Sequence, residues 1–286
     1  MEPGMGDDSN IKDTIEVVKG LVEAVPIYQD ALQPAVKEIG KSLETLAKTI
    51  NLALAPIAGL VWGYEKIRDY LCQALIERFK EKPLERIVTP NPRIAGPIIE
   101  ALRFAAQEPT LRELYANLLA TSMDSLKNKE AHPSFVEIIK QITPDEAKII
   151  KLFREYSFFA VVTIRIYDFK YSDKVNDSPL YKLKLLKSDY IEAPIYLSLI
   201  GYDSKCEYSG LTPYYINNLC RLGLTEIIPG RQINDANLYE KLENHPDIQE
   251  LKKYDEEQYP DKTVMFNRGL LQVTPFGKQF CISCTI

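Results

Sequence analysis

The sequence predicts a helix-rich α+β fold, an N-terminal helical bundle followed by a mixed, winged-helix-like C-terminal domain. Three observations predict it: an apolar seam at alternating steps of four and three from Ile11 to Leu71, recurring Thr-Pro helix starts, and a switch at Phe158 to a β-branched, aromatic run. The organisation this implies is a disordered tail over 1–10, a helical domain over 11–142 and an α+β winged-helix-like domain over 143–286. With 286 residues and 45% apolar content, the chain can bury a substantial core. Its 13 Gly, 18 Pro and five Cys exclude a collagen, a low-complexity linker protein and a disulfide scaffold.

The seam opens with Ile11, Ile15, Val18, Val22 and Val25, and resumes after Pro26 with Leu32, Val36, Ile39, Leu43, Leu46 and Ile50. The same phase continues through Ala53, Ile57, Leu60, Tyr64, Ile67 and Leu71, although Pro34 and Pro56 must start, break or kink a helix. Helices are therefore expected near 11–25, 31–54 and 57–80. They bury the seam within an antiparallel bundle or use it for self-association as a homo-oligomer.

Sixteen consecutive uncharged residues, Thr49 to Tyr64, interrupt the charged background. A membrane span needs about 20 apolar residues, and Pro56 and Gly59 sit in the middle of this stretch, so it reads as a buried helix pair. The other reading is a segment around Leu54, Ile57, Leu60, Val61 and Trp62 that enters a membrane interface after a trigger.

The run Thr89 to Pro97 carries three prolines and is expected to be a connector, with Pro97 at the first position of the next helix. Pro109 starts another helix, with Leu111, Leu114 and Leu118 on one face, and a further helix lies near 133–142. Thr143-Pro144-Asp145-Glu146 has the residues of a capping box and opens a helix to about Tyr156. Phe158 to Tyr167 follows as a strand. Thr212-Pro213 repeats the cap, its helix stopping at Gly223, and a strand runs from Leu224 to Ile228. An acidic excursion over 231–261 returns to a strand around Leu270 to Val273, and Thr274-Pro275 caps the last helix.

No catalytic constellation emerges. His132 and His245 are the two histidines, each before a proline, and no Gly-rich phosphate loop, HExxH or EF-hand loop is present. Cys281 and Cys284 have metal or redox spacing, but a structural zinc needs four ligands, so no metal and no cofactor is expected. The helix after Thr212 carries Arg221 as its one basic residue, and the net charge is −5, so a nucleic-acid partner is not expected. The acidic first ten residues lack a basic n-region and an apolar core, so no secretory signal is expected and the cytoplasm is the expected compartment.

Several stretches resemble the bacterial abortive-infection alpha family. They are Leu54 to Ile67, Glu85-Arg86-Ile87, Ile94-Ala95-Gly96-Pro97, Glu100-Ala101-Leu102-Arg103, Leu111 to Asp124, His132 to Phe135, and Ile139 to Ala147. Looser matches are Asn218 to Leu224 and Thr274 to Gly277. The resemblance implies a non-enzymatic phage-defence role in which an infected cell dies or stops growing. It supplies no catalytic residues. Glu85, Arg86, Arg103, Asn117, Ser122 and Asp124 are polar positions within the matched region, and they read either as structural ties or as a patch for a phage or host trigger. Two mechanisms stay open: membrane perturbation through 49–64, with membrane association on activation, and a cytosolic oligomer that blocks a host or phage process. A DNA-contacting regulator is the distant third.

Overall fold

A computed structural model describes residues 43–55, 65–105, 108–168, 190–192, 195–228 and 230–285. The tail expected over 1–10, the helix near 11–25 and residues 56–64 lie outside the described residues. The fold is α+β and helix-rich, with one small curled antiparallel sheet.

Helix α1 spans 43–55 and buries Leu46, Ile50, Ala53 and Leu54, the continuation of the seam. Helix α2, Glu65–Phe79, buries Ile67, Leu71, Leu75 and Phe79, one residue every fourth position along a single stripe. Helix α3 runs from Pro92 to Leu102, so the expected connector is corrected in its second half. Asn91 caps it, its side-chain oxygen accepting the Arg93 amide at 2.9 Å, and Pro92 takes the first turn. Pro97 falls inside the helix; the carbonyl it cannot serve belongs to exposed Arg93, where water is at hand.

Helix α4, Pro109–Met123, is the pillar of the molecule. Leu114 to Met123 are all buried, so over this stretch the helix is enclosed on every side and the single apolar face expected for it is too narrow a description. Helices α5, Ser134–Ile139, and α6, Pro144–Lys151, follow, and α6 continues as a 3₁₀ turn over Leu152–Arg154. The capping box is formed: Thr143 Oγ1 accepts the Glu146 amide at 3.2 Å and Glu146 accepts the Thr143 amide at 2.6 Å.

Strand β1 is Phe158–Tyr167, as expected. After β2, Tyr190–Glu192, and the short helix α7, Ile200–Asp203, helix α8 covers Thr212–Arg221. Here the expected threonine cap is corrected. A 3₁₀ turn, Ser209–Leu211, runs straight into α8, and buried Thr212 is already helical, donating its hydroxyl to the Ser209 carbonyl at 2.6 Å. At the other end Gly223 takes φ +73°; its amide reaches the Cys220 carbonyl and the Leu224 amide the Leu219 carbonyl. Those are the two bonds of a Schellman stop.

Strand β3, Thr225–Ile228, leads to a helical hairpin, α9, Ala236–Glu243, and α10, Pro246–Gln258, then β4, Thr263–Val273, and α11, Pro275–Cys284. The excursion over 231–261 is thus mainly helical. β4 begins seven residues before the expected Leu270 and pairs with the whole of β1, from Tyr167 opposite Thr263 to Phe158 opposite Gln272. Asn267, Arg268 and Gly269 hide it from a pattern-based reading. The strand order is β2-β1-β4-β3, every pair antiparallel.

The sheet has a core on each face. On one side Val161, Leu271 and Val273 join a continuous cluster that reaches from Leu46 in α1 to Cys284 in α11. On the other, Val162, Ile164, Ile166 and Val264 pack under Tyr239, Leu242 and Ile248 of the hairpin. Residue-by-residue alternation along β1 is what divides the two.

Candidate functional site

The enclosed helix α4 must satisfy its own polar side chains, and it does so against the end of the chain. Asn117 Nδ2 donates to the Cys284 carbonyl and Thr121 Oγ1 to the Ser283 carbonyl, both at 2.9 Å. Arg154 donates to the Thr285 carbonyl at 2.9 Å. Three successive carbonyls at the terminus of α11, groups that a helix leaves without internal partners, are therefore held by side chains from α4 and the turn after α6. Asn117 also accepts from Arg78 Nε of α2, so one amide joins three helices. Ser122 turns inward on α4 itself, donating to the Leu119 carbonyl at 2.7 Å.

The base of α11 is equally tight. Thr274 Oγ1 caps it by accepting the Gly277 amide at 2.9 Å. A Cβ at Gly277 would stand 2.0 Å from the Leu224 carbonyl oxygen, so only glycine lets α11 approach the entry to β3. Phe276 and Phe280 meet Phe135 of α5, the latter edge-on with centroids 5.3 Å apart.

Asp124, directly after α4, is fully enclosed and accepts Arg86 through both carboxylate oxygens, Nη2 lying 2.6 Å from Oδ2. Lys82 Nζ lies 3.2 Å from Oδ2, and the Leu126 amide donates to Oδ1 at 3.1 Å. Burial acts to raise this carboxyl, but the Arg86, Leu126 and Lys82 hydrogen bonds outweigh it and hold the group below the usual carboxylate range. Backbone bonds from Ser125 to Arg86 and from Val88 to Met123 stitch the same two segments together.

A second carboxylate hub was not legible as one in the sequence. Asp145, in the first turn of α6, accepts the Glu207 and Tyr208 amides at 2.9 Å, Lys148 Nζ at 2.7 Å and the Tyr215 hydroxyl at 3.2 Å. Burial again works to raise it, and the Lys148 and amide bonds bring it down to about 2. Its neighbour Glu146 accepts Asn218 of α8 at 2.7 Å. Arg221, the one basic residue of α8, is engaged by Asn218 and Gln141. Burial, and after it the Asp145 carboxylate, pushes the Tyr215 hydroxyl up, and burial raises the Cys206 thiol to about 11.

Of the six sequence-selected polar residues, the structure brings Arg86 and Asp124 together; Asn117 and Ser122 share α4 but bond separately, Asn117 to Arg78 and the Cys284 carbonyl and Ser122 to the Leu119 carbonyl. Glu85 is exposed in a 3₁₀ turn, and Arg103, at the end of α3, has its guanidinium 5.9 Å from the Phe104 ring centre. Of the apolar segment, Leu54 is buried in the core, while Ile57, Leu60, Val61 and Trp62 lie outside the described residues. Cys281 and Cys284 are buried on α11 with thiols raised by burial. Among the described residues no group of three or more His, Cys, Asp or Glu could hold a metal ion, and no helix is long and apolar enough to cross a membrane.

The family described as abortive infection alpha matches residues 64–284, which takes in α2 through α11 and both hubs. The chain belongs to the abortive infection alpha family. No curated protein matches it. One solved structure, an uncharacterized protein from the hydrocarbon-degrading marine bacterium Alcanivorax borkumensis SK2, is similar at 17% identity with a TM-score of 0.35, covering 57% of this chain and 96% of that one. Membership of the abortive infection alpha family suggests a role in phage defence.

Proposed function

We propose that the chain is a non-enzymatic phage-defence effector in which docking of α11 onto α4 keeps the helical half closed until infection releases it. The observation that carries this reading is the capture of the Ser283, Cys284 and Thr285 carbonyls by Thr121, Asn117 and Arg154. Bonds that span 162 and 167 residues between α4 and the chain's end tie closure of the core to one short helix. On release, the segment 49–64, including Leu54, Ile57, Leu60, Val61 and Trp62, becomes the part that meets a membrane interface. The trigger, a phage or host protein, meets the surface around exposed Glu85 and half-buried Arg86 and Arg103; Asn117, Ser122 and Asp124 of the polar set are buried.

A second reading is a cytosolic oligomer that blocks a host or phage process; it would use the outer side of α1, where Leu52 stands 76% exposed while Leu46 and Ile50 are committed to the core. Expression in a bacterial host with and without phage separates the two. The effector reading expects protein that resists alkaline extraction and a fall in membrane potential during infection, both lost in Leu60→Lys. Phage protection with intact potential and extractable protein contradicts it, and loss of protection in Leu52→Lys then selects the oligomer.

A further inference from the structure

Where α2 packs against α4, the charges of two guanidinium groups, Arg112 and Arg78, act on one phenol, Tyr70. Arg112 of α4 lies over the Tyr70 ring of α2, 4.9 Å from its centre, and among the described residues its Nε is shut away from water without a hydrogen-bond partner. Arg78 of α2 gives Nε to Asn117 and one Nη to the Ala74 carbonyl of its own helix. Among the described residues neither guanidinium has a carboxylate within ion-pair distance. The two acids whose charge acts on Arg78 are occupied elsewhere, Glu113 by Lys151 and Glu77 by Lys80, each at 2.9 Å. Other half-buried arginines in this fold are answered differently: Arg86 takes Asp124 and Arg268 takes Glu243, both through two donors.

A half-buried guanidinium without a counter-anion is costly, and burial holds Arg78 below the usual arginine range. The donors left over among the described residues, the Nη groups of Arg112, the second Nη of Arg78 and the Tyr70 hydroxyl, are of the kind that bind a tetrahedral anion through paired hydrogen bonds. We propose that Tyr70, Arg78 and Arg112 form a site for one phosphoryl group carried by a small molecule. A polyanion fits less well, because Glu77 and Glu113 flank the site and the chain carries a net charge of −5. Occupancy bears on the rest of the fold through Asn117, which accepts from Arg78 and donates to the Cys284 carbonyl. The site goes beyond the phage-defence reading, and binding to purified protein stands or falls without it.

The test is calorimetric titration of the full chain with inorganic phosphate and then a nucleoside monophosphate, against chloride at equal ionic strength. Saturable one-to-one binding is expected. Arg112→Gln weakens it about tenfold and Arg112→Lys, which keeps the charge but loses the fork, weakens it less. Glu113→Gln tightens it by removing a like charge. Tighter binding of the nucleotide assigns an ester as the ligand, and equal binding assigns free phosphate. Arg78→Gln also disturbs Asn117, so the Arg112 and Glu113 variants, each checked for an unchanged thermal melt, carry the decision. No saturable binding at millimolar phosphate, or the same affinity in wild type, Arg112→Gln and Glu113→Gln, overturns the site. Binding confined to long oligonucleotides and falling steeply with salt overturns it in favour of a nucleic acid.

Discussion

The two faces of the sheet are closed in different ways. The larger core, from α1 to α11, is crossed by polar ties between distant parts of the chain: Asn117 and Thr121 to the α11 carbonyls, Arg86 to Asp124, and Asp145 to the loop before α8. The smaller core, under the α9–α10 hairpin, rests on a few apolar side chains, with Tyr239 bonded to the Gly269 carbonyl and the Ile233 amide and Arg268 paired with Glu243 at the rim. Apolar burial is non-directional, so apart from the Tyr239 and Arg268 ties the hairpin is held with fewer directional constraints than the larger core. Buried polar ties tolerate one arrangement, so the larger core opens as a unit or not at all.

The largest effect that separates the two is expected at Asp124. Asp124→Ala strands Arg86 and Lys82 against an enclosed site and should cost about 3–5 kcal/mol, read as the loss of unfolding free energy in urea. Asn117→Ala leaves the Cys284 carbonyl and Arg78 Nε unanswered and should cost about 1–3 kcal/mol. Tyr239→Phe, the matching change in the hairpin, should cost about 1 kcal/mol and leave the α11 end of the fold untouched. If Tyr239→Phe proves as damaging as Asp124→Ala, the two faces are not distinct.

Acid sharpens the comparison further. The folded Asp145 carboxyl titrates at about 2, below its unfolded value of about 3.9, so the stability it contributes is present above about pH 4 and is lost as pH falls from there toward about 2. Melting temperatures measured across this window should fall steeply in wild type and more gently in Asp145→Asn, which starts lower at neutral pH. An identical slope in the two would show that Asp145 is not a principal acid-sensitive tie.

The sequence made local signals legible and left long-range ones hidden. The capping box at Thr143, the threonine cap at Thr274, the glycine stop at Gly223 and strand β1 all depend on neighbouring residues, and all formed as expected. Pro97 and Thr212 misled because the elements before them, capped by Asn91 and by the Ser209–Leu211 turn, had already begun. β4 was cut short because its middle pairs with β1 at positions where Asn267, Arg268 and Gly269 look like a turn. Arg86, Asn117 and Asp124 stand out in the sequence as polar residues among apolar ones, but their partners lie across the chain and no spacing announces them. Asp145 shows in the sequence as part of a capping run; its link to Tyr208 and Tyr215, some 60 to 70 residues away, has no local trace.

Native-state hydrogen exchange, followed by mass spectrometry in wild type and Asn117→Ala, tests the central claim most directly. In wild type, peptides covering 275–285 should exchange together with those of 109–123, the slowest in the protein, while 236–258 exchanges earlier. In Asn117→Ala, 275–285 should lose protection and 236–258 should not change. Peptides 275–285 exchanging as early as the hairpin in wild type, or unaffected by Asn117→Ala, would contradict the view that the last helix closes the fold.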